Sequence, residues 1–272
     1  MRVTVNGIDL AYEAEGPEDG PVLVLAHTLA TSRAMWRKQV PYFARRHRVV
    51  SYDLRGHGES AAPDYPYSLE MLSEDVIGIL DSLGVERPAV FLGISIGGMV
   101  GQALALRHPD RFRALILSNT VSRTPPEGQP MWDQRIEAIR KDGVEGQVQP
   151  TLERWLSPEF RARDPETTKW VADLIRATPA TGFIGCARAI QKLDFTDELE
   201  RVTLPTLVIA GEKDTGSPVA AAQTIHEKIK GSQLVVIPHC QHQTPIEAPD
   251  AFNRAVDTFL DTLKPGSGPA SA

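Results

Sequence analysis

The sequence predicts an α/β fold, in which helices cover both faces of a mainly parallel sheet and a helical cap is inserted. Short apolar runs alternate with longer segments of helical periodicity along most of the chain, and this order of elements is typical of parallel sheets. The alternation stops between residues 121 and 196 and resumes at Val202. Asn6-Gly7 near the start is a strong hairpin signal, so we expect the first strand pair to be antiparallel.

The apolar runs predict the individual strands, and the amphipathic segments between them predict the helices. Strands are expected at Val3–Val5, Leu10–Ala14, Val22–Ala26, Arg48–Tyr52, Ala89–Gly93, Ala114–Ser118, Thr206–Ala210 and Leu234–Ile237. Core helices are expected at Ser68–Leu83, Gly97–His108, Val219–Lys230 and Pro249–Leu263. Residues 1–120 and 197–263 therefore form the expected core, and the small polar residues 264–272 are expected to be a disordered tail or a cloning remnant.

Residues 121–196, called the insertion below, carry helical patterns and no convincing strand. The patterns lie at Met131–Asp142, Val144–Leu156, Glu166–Thr178 and Phe183–Leu193. Ligand sites of α/β proteins lie at the carboxyl ends of the parallel strands. We therefore expect the insertion to form a cap over that edge of the sheet.

The composition is that of a globular protein and argues against several classes of partner. The chain has 272 residues, of which 42% are hydrophobic and 24% are charged, and its formal net charge is −6. This acidic surplus gives no support to binding of nucleic acid or of an anionic membrane, and no apolar run is long enough to span a bilayer. The N-terminus has no basic region followed by an apolar run, so we expect a cytoplasmic protein. Cys186 and Cys240 lie in no metal-ligand spacing and are expected to be reduced thiols, and neither a metal nor an organic cofactor is expected.

Ser95 is the candidate nucleophile. It lies in Gly93-Ile94-Ser95-Ile96-Gly97, directly after a predicted strand and directly before a predicted helix. A nucleophile elbow needs this order, because the serine stands on a strained turn and the flanking glycines leave room for the crowded backbone. The amide dipoles of the following helix also favour negative charge that develops nearby. The motif therefore predicts a serine hydrolase, and an ordinary strand-to-helix turn is the alternative.

A serine hydroxyl needs a base, and the base needs an acid that fixes its tautomer. His242 lies in the loop after the last predicted strand, and His239 is its rival in the same loop. Asp214 follows the preceding strand through a short turn, and Glu212 is the local alternative. Ser95, Asp214 and His242 occur in the order of serine, acid and histidine that accompanies such an elbow.

The oxyanion of a tetrahedral intermediate needs two amide donors. Ile96 N–H, which follows the nucleophile, is the first candidate. Leu29 N–H, in the loop after the strand that ends at Ala26, is the second, and Thr28 N–H is its alternative. His27 and Thr28 in the same loop are expected to face the substrate.

The segment from Asp53 to Ser60, with the sequence Asp-Leu-Arg-Gly-His-Gly-Glu-Ser, is expected to be structural. Its glycines favour a tight turn, its aspartate can accept local amide hydrogens, and its arginine can pair with that aspartate.

With these residues in place, the chain resembles the α/β-hydrolases, and more narrowly the 3-oxoadipate enol-lactonases, as far as about residue 262. The segments that carry the resemblance are Thr28–Ser32, Met35-Trp36, Gly93–Gln102, Leu115–Thr120, Trp132–Ile136, Glu153–Trp155, Ala177–Pro179, Gly185–Ala187 and Ile190. The resemblance implies an α/β-hydrolase fold and hydrolysis of a small unsaturated lactone that carries a carboxylate. It also implies that Ser95, Asp214 and His242 form the triad.

Two segments beside the expected site depart from the pattern of that family. Ala26-His27 stands where the family tends to have an asparagine-serine run. Gln243-Thr-Pro245 follows the histidine, where the family usually has a run like isoleucine-serine-asparagine. Both departures leave the triad unchanged and leave open which small ester or lactone is the substrate.

A substrate carboxylate that enters a mostly apolar cap needs a cation, because an unpaired buried charge is costly. Arg135 lies one helical turn after Trp132, so the two side chains can share a face. Trp132 is then expected to cover the ring of the substrate while Arg135 binds its carboxylate. Arg154 and Arg188 are the alternatives.

The same residues also suit other functions. The site also suits carbon–carbon bond hydrolysis or cofactor-free perhydrolysis, and the fold can serve as a catalytically silent small-molecule receptor. The intact serine, acid and histidine argue against the receptor. A haloalkane dehalogenase is disfavoured, since that chemistry needs a carboxylate where Ser95 stands.

Overall fold

A mainly parallel sheet runs through the protein. The computed structural model describes residues 1–263, and the predicted tail at 264–272 lies outside the described residues. The strands are β1 (Arg2–Val5), β2 (Ile8–Glu15), β3 (Val22–Ala26), β4 (Arg48–Tyr52), β5 (Ala89–Ile94), β6 (Phe112–Ser118), β7 (Thr206–Gly211) and β8 (Gln233–Ile237). They are ordered β1-β2-β4-β3-β5-β6-β7-β8. β2 pairs antiparallel with both β1 and β4, and the other pairs are parallel. The predicted sheet is therefore confirmed, each strand within two residues of its expected bounds.

The antiparallel start depends on the Asn6-Gly7 turn. Both residues adopt a positive φ, 50° at Asn6 and 76° at Gly7, which is the conformation of a two-residue hairpin turn that matches the twist of its strands. Val5 consequently pairs with Ile8 directly across the turn.

Helices connect the strands and pack against the sheet. They are α1 (Val40–Phe43), α2 (Leu69–Ser82), α3 (Ile96–Arg107), α4 (Gln129–Asp142), α5 (Glu145–Trp155), α6 (Pro158–Arg163), α7 (Pro165–Arg176), α8 (Ala180–Gln191), α9 (Val219–Lys228), α10 (Thr244–Glu247) and α11 (Pro249–Thr262). α3 packs on β5 and β6, and α9 packs on β7 and β8. Among residues 1–263, no helix combines the length and the apolar character that a membrane span requires.

The insertion contains α4 to α8, of which the sequence predicted four. It did not predict α6, which begins after Ser157, whose hydroxyl accepts a hydrogen bond from Phe160 N–H. A capping serine followed by proline is a start signal for a helix, but six residues are too few to show a helical period. An isolated antiparallel bridge between Arg123 and Asp194 joins the two ends of the insertion.

The insertion approaches the core closely at α8. A Cβ built on Gly182 would lie 1.8 Å from the carbonyl oxygen of Gly56, and one built on Gly185 would lie 2.6 Å from the ring of Tyr67. Tyr67 N–H also donates to the carbonyl oxygen of Gly185. Glycine at these two positions therefore lets the backbone of the insertion rest directly on the core.

Gly182→Ala should destabilise the protein, because its methyl group would overlap the backbone of Gly56. We expect a loss of about 1–3 kcal/mol in the free energy of unfolding, measured by urea denaturation. Gly146 in α5 is the matched control, since a Cβ there meets no described atom within 4 Å. Gly146→Ala should leave stability unchanged or raise it by up to about 1 kcal/mol. Equal stability of the two variants would contradict the close approach.

Candidate active site

Ser95 stands on a strained turn between β5 and α3, as the sequence predicted. Its φ of 57° and ψ of −119° lie outside the regions that non-glycine residues favour. A Cβ on Gly93 would lie 2.1 Å from the carbonyl oxygen of Gly97, and one on Gly97 would lie 2.4 Å from that of Ala26. Both glycines are therefore required by the backbone crowding around the serine. Ser95 N–H donates to the carbonyl oxygen of Ser118 at 2.9 Å, which fixes the turn to β6.

His242 and Asp214 form a buried hydrogen bond beyond the ends of β7 and β8. His242 Nδ1 lies 2.8 Å from Asp214 Oδ2. The other carboxylate oxygen, Oδ1, accepts from the backbone N–H groups of Gly216 and Ser217, each at 2.9 Å. Because Ser95 follows the parallel strand β5, all three side chains emerge at the same edge of the sheet.

The surroundings of Asp214 keep its carboxyl group ionised. Burial on its own would raise the pKa, but the neighbouring His242 ring and the hydrogen bonds from Ser217 and Asn119 outweigh burial, so the pKa lies below its ordinary value. An ionised acceptor holds the proton of the imidazole on Nδ1. Nε2 of His242 is then the nitrogen that can take up a proton.

The two alternatives from the sequence, His239 and Glu212, lie apart from this pair. The His239 side chain is 83% exposed, and its Nδ1 lies 3.7 Å from Glu212 Oε2. The same carboxylate accepts His239 N–H at 2.7 Å. His239 adopts a φ of 62° at the turn after β8, so both residues shape that turn.

Asn119, at the end of β6, supports the acid and was not identified from the sequence. Its Nδ2 donates to Asp214 Oδ2 at 3.0 Å and to the carbonyl oxygen of Gln241 at 3.3 Å. Its Oδ1 accepts from the hydroxyls of Ser118 and Thr244, at 2.8 and 2.7 Å. The sequence showed only that residues 119–123 contain no carboxylate. The available signal was a side-chain amide at the carboxyl end of β6, the strand next to the one that leads to Asp214.

Trp155 of the insertion contacts the histidine directly and was also missed as a site residue. The rings of Trp155 and His242 stack with centroids 6.0 Å apart and an interplanar angle of 24°. Gln243 N–H donates to the carbonyl oxygen of Trp155 at 3.1 Å. Nothing in the local sequence distinguishes this tryptophan from a packing residue, because the contact joins segments distant in the chain.

The structure leaves the N–H groups of the two expected oxyanion donors without a partner among residues 1–263. Ile96 is the first residue of α3, and the first N–H groups of a helix have no partner within it. Leu29 N–H has no hydrogen-bond partner within residues 1–263. The next residue, Ala30, adopts a φ of 60°, so the loop turns sharply directly after Leu29.

Two buried histidines hold the loop that carries Leu29. Ala30 N–H donates to His57 Nε2 at 3.1 Å, and Leu54 N–H donates to His27 Nε2 at 2.9 Å. Each of the two segments, 27–31 and 53–60, thus contributes one histidine that accepts a backbone N–H of the other segment. The centres of the two rings lie 5.3 Å apart. We call this pair the histidine clasp.

His27 and Thr28, which were expected to face the substrate, are both buried at the histidine clasp. Neither residue has any solvent-accessible surface. His27 Nδ1 lies 2.7 Å from the carbonyl oxygen of Thr28, so both nitrogens of the ring are engaged by the backbone. This arrangement supports a role for His27 in shaping the loop rather than in contacting a substrate.

Asp53 shapes the adjoining turn, with a partner other than the predicted one. Its carboxylate accepts the backbone N–H groups of Arg33 at 2.7 Å and Glu59 at 2.9 Å, and it pairs with the Arg33 guanidinium. The arginine of the motif, Arg55, instead pairs with Asp75 of α2, with Nη2 2.7 Å from Oδ1. The predicted pairing within the motif is therefore wrong, because Arg55 turns toward α2.

Arg135 and Trp132 share a face of α4, as their spacing predicted. The Arg135 guanidinium carbon lies 4.7 Å from the centre of the Trp132 ring and 5.2 Å from that of Phe183. Its Nε–H donates to Gln147 at 3.1 Å. The guanidinium is thus held between two aromatic rings.

Arg135 and Arg154 are partly buried cations of the insertion. Neither forms an ion pair with any residue in the described part of the chain. Burial, followed by the nearby charge of Arg154, lowers the pKa of Arg135 to about 10, and burial also lowers the pKa of Arg154. Arg188, by contrast, pairs with Asp133 at 2.6 Å. The insertion therefore holds two partly desolvated positive charges that favour an anion.

Comparison with known proteins adds an independent line of evidence. A family model described as alpha/beta hydrolase fold matches residues 21–249. The 3-oxoadipate enol-lactonase 2 of Acinetobacter baylyi is 36% identical over 258 residues, which cover 95% of each chain. The enol-lactonase structure from Burkholderia xenovorans is 34% identical, with a TM-score of 0.92 over 96% of this chain and 100% of that one. A thermophilic esterase structure from Thermogutta terrifontis is 30% identical, with a TM-score of 0.92 over 97% and 99% of the two chains. These similarities confirm the expected fold and the resemblance to enol-lactonases.

The histidine clasp predicts a loss of stability in mild acid. Burial is the main cause that lowers the pKa of His27 to about 4 and that of His57 to about 3, from an ordinary value of 6.5. As the pH falls from 6.5 toward 4, the unfolded chain binds protons that the folded chain does not. The free energy of unfolding therefore decreases, by up to about 1.4 kcal/mol per pH unit for each histidine. Above pH 6.5 both groups are neutral in both states and contribute no pH dependence.

Urea unfolding at pH 7 and pH 5 measures this effect. His57→Gln, which cannot bind a proton, should lose less stability over the interval than the wild type, whatever its stability at pH 7. His239→Gln replaces an exposed histidine and should keep the full wild-type dependence. The same pH dependence in His57→Gln and wild type would contradict a neutral clasp.

Proposed function

The chain belongs to the α/β-hydrolase fold family, and on that premise we propose that it cleaves a small carboxylic ester or lactone through an acyl-enzyme on Ser95. The observation that carries the proposal is the hydrogen bond of 2.8 Å between His242 and the buried Asp214. This pair lies at the sheet edge where Ser95 stands on its strained turn. A serine at an elbow with a carboxylate-supported histidine is the constellation that acyl transfer uses.

In the proposed first step, His242 Nε2 takes the proton of Ser95 Oγ as the oxygen attacks the carbonyl carbon. The tetrahedral oxyanion accepts hydrogen bonds from Ile96 N–H and Leu29 N–H. The intermediate then expels the alcohol or enol oxygen, which takes the proton from His242, and leaves the acyl group on Ser95. With a lactone substrate, the leaving oxygen stays attached to that acyl chain.

Water completes the reaction in the second step. His242 removes a proton from water, which attacks the acyl carbon, and Ser95 leaves with the proton that His242 returns. The Trp155 ring stacked on His242 favours the imidazolium that forms in each step, because an aromatic face attracts a cation.

The insertion supports a substrate that carries a carboxylate. The two partly buried cations, Arg135 and Arg154, form no ion pair with a described residue, and the guanidinium of Arg135 lies beside the Trp132 ring. The 3-oxoadipate enol-lactonase at 36% identity supports an unsaturated lactone acid in particular. We therefore propose an enol-lactone of this kind as the substrate, with Trp132 covering its ring.

Replacement of the nucleophile or the base should abolish turnover. Ser95→Ala and His242→Ala should each lower kcat by roughly 10⁴-fold or more, and the double variant should be little worse, because triad members act as a unit. Hydrolysis of 4-nitrophenyl acetate and labelling by a fluorophosphonate probe measure this. His239→Ala is the control and should retain activity. Loss of activity in His239→Ala, with activity retained in His242→Ala, would show that His239 and not His242 is the base.

The carboxylate contact should make Arg135→Ala selective. We expect kcat/KM for a carboxylated lactone to fall roughly 10- to 100-fold, since a hydrogen bond to a charged group contributes about 1.5–3 kcal/mol. The neutral methyl ester of the same lactone should be affected little. Arg188→Ala serves as the control, because Asp133 already pairs with that arginine. Equal losses for acid and ester would remove Arg135 from the substrate site.

The same assays separate the remaining alternatives. Turnover of a vinylogous diketone in preference to a lactone or an aryl ester would indicate carbon–carbon bond hydrolysis, and peracid formation from acetate and peroxide would indicate perhydrolysis. A folded wild-type protein that resists the fluorophosphonate would indicate a small-molecule receptor instead.

A further inference from the structure

Glu247 is a buried carboxylate outside the triad. It is the last residue of α10, with 7% of its surface exposed. One oxygen, Oε1, accepts the backbone N–H of Ser157 at 2.9 Å and its hydroxyl at 2.6 Å. The other oxygen, Oε2, accepts Gln241 N–H at 2.6 Å. A buried carboxylate with three short hydrogen bonds is strongly held.

These contacts join the insertion to the loop that carries His242. Ser157 follows α5 and caps α6, two residues after Trp155. Gln241 directly precedes His242, and Gln243, which directly follows it, donates its N–H to the Trp155 carbonyl oxygen at 3.1 Å. Both chain neighbours of His242 are thus bound to the insertion, Gln241 through Glu247 and Gln243 directly. The Trp155 ring stacks on the imidazole of His242.

We propose that Glu247 is a positioning residue for His242. By joining the loop that carries His242 to residues 155–157, Glu247 keeps the imidazole in place for its hydrogen bond to Asp214. This inference rests on the proposed function, since it assigns Glu247 a part in proton transfer at Ser95. The segment between β8 and α10 has no strand partner and contains a turn with positive φ at His239. Side chains that transfer protons must be held closely, and a displacement of about 1 Å can lower the rate roughly 10²-fold.

The arrangement requires an acceptor oxygen on each side of the Glu247 carboxyl group. A glutamine at this position offers one acceptor oxygen and one NH₂ group. In either orientation, the NH₂ group would face a backbone N–H, either that of Gln241 or that of Ser157. One side of the connection between the insertion and the histidine loop would then lose its acceptor. Glu247→Gln therefore changes the connection without creating a cavity.

The test compares Glu247→Gln with wild type in the full-length protein. The readouts are kcat and KM for 4-nitrophenyl acetate, the rate of inactivation by diisopropyl fluorophosphate, and the downfield proton resonance of the His242–Asp214 hydrogen bond. Thermal unfolding is recorded in parallel. Asp257→Asn is the matched control, because Asp257 joins α11 to Tyr42 and Arg46 and is no part of the proposed site.

We expect Glu247→Gln to lower kcat and the inactivation rate roughly 10- to 100-fold, with KM changed less than about threefold. The downfield resonance should shift or broaden. Asp257→Asn should lower the unfolding temperature while it retains wild-type rates and resonance. Wild-type rates in a folded Glu247→Gln protein would overturn the proposal, as would equal loss of rate in Asp257→Asn.

Ser157→Ala decides the matter if Glu247→Gln does not fold. It removes the hydroxyl donor and keeps the backbone donor, so the same readouts should change in the same direction, by roughly three- to tenfold. Wild-type rates and resonance in Ser157→Ala would then overturn the proposal. Failure of the proposed function is distinguishable, because in that case wild type itself would not react with the fluorophosphate.

Discussion

The buried charge of Asp214 organises the site more than any other feature. Removing a carboxylate from water is costly unless hydrogen bonds replace its hydration. Here the donors come from three strand ends: Asn119 after β6, the backbone of Gly216 and Ser217 after β7, and His242 after β8. Satisfying one carboxylate therefore fixes three loops relative to one another. The same contacts leave Nε2 of the histidine as the nitrogen available for a proton.

The part of the site around Ser95 is stabilised by neutral groups and close packing rather than by charge. Gly93 and Gly97 allow backbone contacts that no side chain would permit, and His27 and His57 accept backbone hydrogens in their neutral forms. Neutral histidines suit the loop that carries Leu29, the proposed oxyanion donor. Their hydrogen bonds impose one backbone conformation on this loop without adding a fixed charge. The cost is sensitivity to acid, since protonation removes the acceptor nitrogen that each loop depends on.

The sequence was sufficient for local features long enough to show a periodic or continuous apolar pattern, which the short helix α6 is not. Buried parallel strands are continuous apolar runs, so their bounds were predicted within two residues, and the order of strand, Ser95 and helix identified the elbow. Features that depend on tertiary contacts were missed. Arg55 was expected to pair with its neighbour Asp53, whereas the fold brings Asp75 to it. Trp155 and Glu247 were not recognised as site residues, and Asn119 offered only its place at a strand end, because each becomes part of the site only when distant segments meet.

The two parts of the chain contribute differently to the proposed reaction. The sheet supplies the serine, the acid, the histidine and the amide donors of that reaction, all in segments that follow strand ends. The insertion supplies Arg135 and Arg154, the cations proposed to bind an anionic substrate, and through residues 155–157 it also contacts the histidine loop. The end of α5 therefore carries both a cation proposed to bind the substrate, Arg154, and the residue that stacks on His242, Trp155. On this proposal, changes in α4, which carries Trp132 and Arg135, would alter substrate binding without moving His242, whereas changes at the end of α5 would affect both.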